Sequence, residues 1–177
     1  MNWPQLIQTD RLILRVPNHS DARAIFDGYA QDVDVVRYLP WRPHKTITDT
    51  EEYLAKCQAG WTAGSDLTWA LTIRGDDQLI GMIAIRPRGY KHDFGYVLAR
   101  AHWGRGLMTE AARAIVDLSF TDPEVRRVWA VCDIDNRASA RVLEKIGFEQ
   151  EGVLRRWITH PNVGPEPRDA LCYSRVR

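Results

Sequence analysis

The sequence predicts one α+β domain: a mixed, mostly antiparallel sheet of about seven strands flanked by about four helices. Three observations predict it. Two strand-like runs, Leu67 to Arg74 and Gln78 to Arg86, are joined by the tight-turn residues Gly75-Asp76-Asp77, which reads as a hairpin. Asp93 to Phe120 reads as a short apolar strand, a glycine-punctuated turn and a helix. Beyond it, strand and helix patterns alternate to the end of the chain. The length of 177 residues suits one domain with a full core, and no repeat, low-complexity tract or linker divides it.

Taken in order, Leu6 to Val16 reads as a first strand centred on Leu12-Ile13-Leu14 and ended by Pro17. Asn18 or Ser20 can cap a helix carrying Ala22, Ile25, Phe26 and Tyr29. Val33 to Pro43 reads as a connection rich in bulky side chains, either helix packing or one wall of a substrate groove. Thr48-Asp49-Thr50-Glu51 has the form of a capping box and opens a second helix, with Tyr53, Leu54, Cys57 and Trp61 on one face and Gly64 at its end. The hairpin follows, then a loop at Pro87-Arg88-Gly89, then the central strand Phe94 to Leu98. Thr109 opens a third helix with Ala112, Ile115, Val116 and Ser119 at helical spacing, and Asp122-Pro123 breaks the chain after it. Val125 to Cys132 holds the fifth strand. Ala138, Val142, Leu143 and Ile146 form the apolar face of a fourth helix that Gly147 terminates. Gln150 to Trp157 and Ala170 to Val176 are the last strands, separated by a loop with three prolines.

Composition excludes several classes. Lys plus Arg number 24 and Asp plus Glu 23, a net of +1, so a nucleic-acid partner has no electrostatic support. Three scattered cysteines, Cys57, Cys132 and Cys172, make neither a disulfide framework nor a metal site. The five histidines show no ligand spacing, and no metal is expected. The N-terminus has no signal-peptide pattern and no run reaches the ~18 apolar residues of a membrane span. A cytoplasmic protein without a membrane partner is expected, and a homodimer is compatible with the sequence.

The chemistry concentrates at Trp103-Gly104-Arg105-Gly106-Leu107-Met108-Thr109. A helix start carries unpaired backbone N–H groups and partial positive charge, and glycines before it give an anion access to the backbone. The stretch is neither a dinucleotide fingerprint, which would need a third glycine at Thr109, nor a P-loop, which would need Gly-Lys-Ser/Thr. By itself the turn is either a phosphate site or structural punctuation. The run Trp103 to Ala111 (W-G-R-G, then T-E-A) resembles the acetyl-CoA-binding segment of the GNAT superfamily of N-acetyltransferases. It is most similar to the RimJ/RimL branch, which acetylates the N-termini of ribosomal proteins. Two further blocks resemble that branch: Thr9-Asp10-Arg11-Leu12-Ile13-Leu14-Arg15, and Asp133-Ile134-Asp135-Asn136-Arg137-Ala138-Ser139 followed by Val142-Leu143-Glu144-Lys145-Ile146-Gly147-Phe148. The likeness runs from about Thr9 to Tyr173.

The resemblance implies a V-shaped opening between the fourth and fifth strands, with acetyl-CoA lying in it as acetyl donor. It assigns cofactor contacts to Leu98, Trp103, Gly104, Arg105, Gly106, Leu107, Met108, Thr109, Asn136 and Ser139, with a backbone N–H near Leu98 at the developing oxyanion and Asn136 on the pantetheine arm. Ser139, at the start of the fourth helix, is the expected proton donor to the leaving thiolate, with Tyr173 an outside candidate; Asn136 and Ser139 are equally plausible as caps. Asp93 is the first candidate for base, ahead of its neighbour His92 and of Glu110. The implied acceptor is a primary amine. An α-amino group with a pKa near 7.7–8.0 is about 10% neutral at pH 7, whereas a lysine amine is only about 0.04% neutral. A protein N-terminus is therefore the acceptor that least needs a strong base. A small amine (polyamine, amino acid or antibiotic) and a non-catalytic acyl-CoA sensor are the alternatives.

Overall fold

The computed structural model describes residues 3–177. Eight strands form one sheet: β1 (Leu6–Gln8), β2 (Leu12–Arg15), β3 (Leu67–Ile73), β4 (Leu79–Arg88), β5 (Lys91–Leu98), β6 (Arg127–Asp133), β7 (Glu149–Ile158) and β8 (Arg168–Val176). Their spatial order is β1-β2-β3-β4-β5-β6-β8-β7, and every pairing is antiparallel except β5 with β6. The eighth strand arises because Leu6 to Val16 is a hairpin and not one strand. Thr9 turns the chain: its Oγ1 accepts the Leu12 N–H at 3.1 Å, and its own N–H reaches the Leu12 carbonyl at 3.0 Å. A threonine hydroxyl that mimics a backbone partner makes a tight reversal without glycine.

Five helices cover the two faces. α1 (Ala22–Ile25), which widens into a π-type turn over Phe26–Ala30, α2 (Val33–Val36) and α3 (Ile47–Ala63) precede β3. α4 (Leu107–Ser119) and α5 (Arg137–Lys145) lie later in the chain. α4 buries Leu107, Met108, Ala111, Ala112, Ile115, Val116 and Ser119, a continuous stripe that joins Leu12, Trp69, Ile83, Phe94 and Leu143 in the larger core. The opposite face packs Ile25, Tyr29, Leu54 and Cys57 on Ala70 and Met82.

Local signals decide the ends. Asn18 is the cap of the first helical turn, with Asp21 closing the capping box. The box of α3 is Thr46 with Asp49, two residues before the expected Thr48 and Glu51. The run Thr46-Ile47-Thr48-Asp49-Thr50-Glu51 contains the pattern twice, and the earlier copy adds a half-turn of helix. Gly64 ends α3 at φ 66° and Gly147 follows α5 at φ 83°, both left-handed as the sequence suggests.

β5 and β6 place the functional region. They pair only at Lys91, His92 and Asp93 against Arg127, Val128 and Trp129. Beyond those three pairs Phe94–Leu98 stays with β4 while Ala130–Asp133 stays with β8. The sheet therefore splits at its centre, between the strands counted fourth and fifth from sequence.

Candidate active site

A cavity of about 910 Å³ fills the split. It is lined by the turn before α4, by the start of α5, and by Tyr38, Trp41 and His160. The turn is held back onto the strand by Trp103, whose indole N–H donates to the Leu98 carbonyl at 2.7 Å. Gly104 and Gly106 sit at φ 73° and 75°. A Cβ at Gly104 would meet nothing within 4 Å, so the left-handed backbone, and not crowding, calls for glycine there. Gly106 is also the N-cap of α4 and supplies no side-chain cap. Leu107, Met108 and Thr109 open the helix and line the cavity. An uncapped helix start beside open backbone fits the diphosphate of a nucleotide cofactor. Arg105 stands apart from the other expected cofactor residues. It does not line the cavity, and its Nη1 lies 3.3 Å from His102 Nδ1.

α5 brings the second group. The Asn136 side chain caps it by accepting the Ser139 N–H at 3.1 Å. Ser139 Oγ lies 2.7 Å from the Tyr96 hydroxyl, which reaches across from β5. The Cys132 thiol lies close to Ser139, and burial pushes that thiol up to about 11. Burial raises the Tyr96 phenol well above its ordinary range. All three groups thus keep their protons at neutral pH, and the cluster can donate but not accept charge. Tyr96 is a member that the sequence reading missed. A tyrosine between strand residues reads as packing, and only the position of α5 over β5 gives it a partner. Tyr173 is not at this site: its hydroxyl donates to Glu144 at 3.1 Å and lies 3.2 Å from the Gln150 side-chain amide.

The expected bases fare differently. Asp93 lines the cavity, yet its Oδ2 accepts from Arg86 Nε at 2.6 Å and its Oδ1 faces Arg88 Nε at 3.4 Å. Both carboxylate oxygens of Asp93 thus face guanidinium groups of β4. His92 is buried against Trp3 and is not in the lining. Partial burial raises the Glu110 carboxyl, but bonds from Thr9 and Arg11 outweigh this and hold it below its ordinary value.

Another group was invisible in sequence. Asp133, fully buried at the end of β6, accepts from Arg168 Nε at 2.6 Å, and His160 Nε2 stands 3.4 Å away. The Tyr38 ring packs edge-on to His160 at 5.8 Å. The Asn162 amide donates to both the Val36 and Trp41 carbonyls at 2.7 Å, so the loop between β7 and β8 is tied to the suspected groove wall Val33 to Pro43. Nothing in the spacing of Asp133, His160 and Arg168 marks them as neighbours. Among the described residues no His/Cys/Asp/Glu group could hold a metal ion, and no helix is long and apolar enough to cross a membrane.

Comparison with known proteins agrees with this geometry. The uncharacterized N-acetyltransferase YoaA of Bacillus subtilis (strain 168) is 32% identical over 175 residues, covering 97% of each chain. The ribosomal protein uS5-alanine N-acetyltransferase of Escherichia coli (strain K12) is 25% identical over 167 residues, 89% of this chain and 85% of that one. The microcin C7 self-immunity acetyltransferase MccE, solved with acetyl-CoA and AMP, shares the fold with a TM-score of 0.88 at 19% identity, covering 99% and 98% of the two chains. A family model described as an acetyltransferase (GNAT) domain matches residues 11–149, and this chain accordingly belongs to the GNAT N-acetyltransferases, acyltransferases that use acetyl-CoA.

Proposed function

We propose that the acceptor is the α-amino group of a protein N-terminus. One observation carries this reading. Each aspartate lining the cavity is paired with an arginine: Asp34 with Arg100, Asp93 with Arg86, and Asp133 and Asp135 with Arg168. A polyamine site would need uncompensated carboxylates, and a lysine acceptor would need a strong base. An α-amine arrives partly neutral and needs neither. The uS5-alanine N-acetyltransferase among the relatives supports the same acceptor class.

Acetyl-CoA supplies the acetyl thioester; forming the amide C–N bond breaks its C–S bond and releases the thiol. The chain's residues serve that exchange. The helix start from Gly104 to Thr109 holds the phosphates by backbone N–H groups. Asn136 fixes the first turn of α5 and orients Ser139. Ser139, backed by Tyr96, delivers a proton to the departing sulfur. The Leu98 N–H stabilises the oxyanion. The amine's surplus proton leaves to water, and a proton returned from water restores the Ser139 hydroxyl, so the net transfer is from amine to thiol.

The test is acetyl-CoA-dependent thiol release on short peptides with a free or blocked α-amine. Release that vanishes on blocking is the expected result. Release on small amines alone overturns the acceptor class, and binding without release on any amine overturns turnover itself.

A further inference from the structure

One sequence block has no place in the site above: Thr9-Asp10-Arg11. It forms the β1–β2 turn and lies behind the start of α4, outside the cavity. Its contacts converge on one point. Glu110 accepts from Thr9 Oγ1 at 2.5 Å, from the Arg11 N–H at 2.8 Å and from Arg11 Nε at 2.6 Å. Arg11 Nη1 then donates to the Arg105 carbonyl at 3.0 Å.

The last bond has a consequence for the cofactor turn. In a trans peptide the C=O and the following N–H point in opposite directions, and the chain has no cis peptide among its described residues. Gly106 lies between the cavity and the hollow beside Arg11 and borders both; with the Arg105 oxygen drawn to Arg11, the Gly106 N–H is turned away from that hollow, toward the cavity side. Glycine at position 106 supplies one of the two torsions about which this peptide unit rotates, and so lowers its intrinsic resistance to flipping. A flip would present a carbonyl oxygen to the anion in place of a donor.

We propose that Arg11 is a positioning residue for the acetyl donor, holding the Arg105–Gly106 peptide so that its N–H faces the cofactor's diphosphate. The proposal rests on the assignment of the Gly104–Thr109 turn to those phosphates. Glu110 is the anchor that aims Arg11, and Arg11 cancels a carboxylate that would otherwise repel the same phosphates.

The experiment compares two donors, acetyl-CoA and S-acetyl-pantetheine, which lacks the diphosphate, with one peptide acceptor. Arg11→Ala should raise KM for acetyl-CoA by about tenfold, leave kcat near its original value, and leave kcat/KM for S-acetyl-pantetheine unchanged. Glu110→Gln should weaken acetyl-CoA in the same direction, because Arg11 loses its aim. Equal losses with both donors would reduce Arg11 to a fold-stabilising contact and overturn the proposal. So would a tighter KM in Glu110→Gln, which is the result expected if only charge mattered. Arg11→Lys, which keeps the charge but cannot span Glu110 and the Arg105 carbonyl, repeats the test if the alanine variant fails to fold. Coenzyme A binding to Gly106→Val separates the two readings. Binding retained there removes the phosphate assignment, whereas binding lost there with Arg11→Ala unchanged removes only the role of Arg11.

Discussion

Ser139 and Tyr96 form one donor unit, since their hydroxyls are 2.7 Å apart and each orients the other. Ser139→Ala should lower kcat by on the order of 10²-fold with KM for acetyl-CoA almost unmoved. Tyr96→Phe should lower it less, and the double variant should be no worse than Ser139→Ala. Steady-state kinetics of the four proteins checks this; additive losses would mean that the two hydroxyls act separately. At this scale the sequence was legible where a side chain acts on its own neighbours. Asn136 and Ser139 stand three apart, the spacing of a cap and the N–H that it receives. It was not legible where the partner comes from another strand. Arg86 faces Asp93 through β4–β5 register, and no spacing rule announces that a candidate base will be met by a guanidinium. Tyr96 was hidden for the same reason.

Among the elements, β4 and β5 make the wall that carries Tyr96 and Leu98, and their closeness depends on one residue. A Cβ at Gly81 would stand 2.5 Å from the Val97 carbonyl and 3.1 Å from Leu98 Cα, both backbone atoms that cannot swing aside. Gly81→Ala should destabilise the fold by roughly 1–3 kcal/mol, read as a lowered Tm, and should weaken coenzyme A binding because the strand end shifts. An unchanged Tm would show that the two strands have slack. Element types and order were legible from periodicity, since α4 buries a clean helical stripe and β3–β4 form a hairpin. Two boundaries were not. Thr9 turns the chain with its hydroxyl and carries none of the usual glycine or proline marks, so the first hairpin reads as one strand. The doubled capping pattern before α3 offers two starts, and packing of the whole helix selects between them.

For the molecule as a whole, titratable groups shifted by burial or by ion pairing set the response to acid. Burial is the foremost cause that lowers His44, His92 and His160 below the ordinary value. A histidine depressed in the fold takes up a proton more readily when unfolded, so its contribution to stability is present above about 6.5 and is lost as pH falls toward its folded value. For Asp133, burial raises the carboxyl, but Arg168 outweighs it and the net shift is downward; Glu151, held chiefly by Arg127, is lowered to about 2. These carboxylates lose their contribution only below the usual carboxylate range, near 4. Thermal unfolding should therefore show a Tm steady from pH 8 to 7, a first decline from about 6.5 downward and a second below about 4. His92→Gln with His160→Gln should flatten the first decline. A Tm level from pH 7.5 to 5 would contradict the histidine account.

The three-pair seam between β5 and β6 is a fulcrum. From Asp93 to Leu98 the strand runs five residues, about 17 Å at ~3.3 Å each, so a tilt of about 5° at the seam displaces its far end by about 1.5 Å. Reacting groups lose much of their advantage when misplaced by ~1 Å. Asp93 sits at the last of the three pairs with Arg86 and Arg88 on its two oxygens. Both arginines belong to β4, so Asp93 ties the seam to the wall that carries Leu98 and Tyr96, and a tilt at the seam moves that wall as one piece.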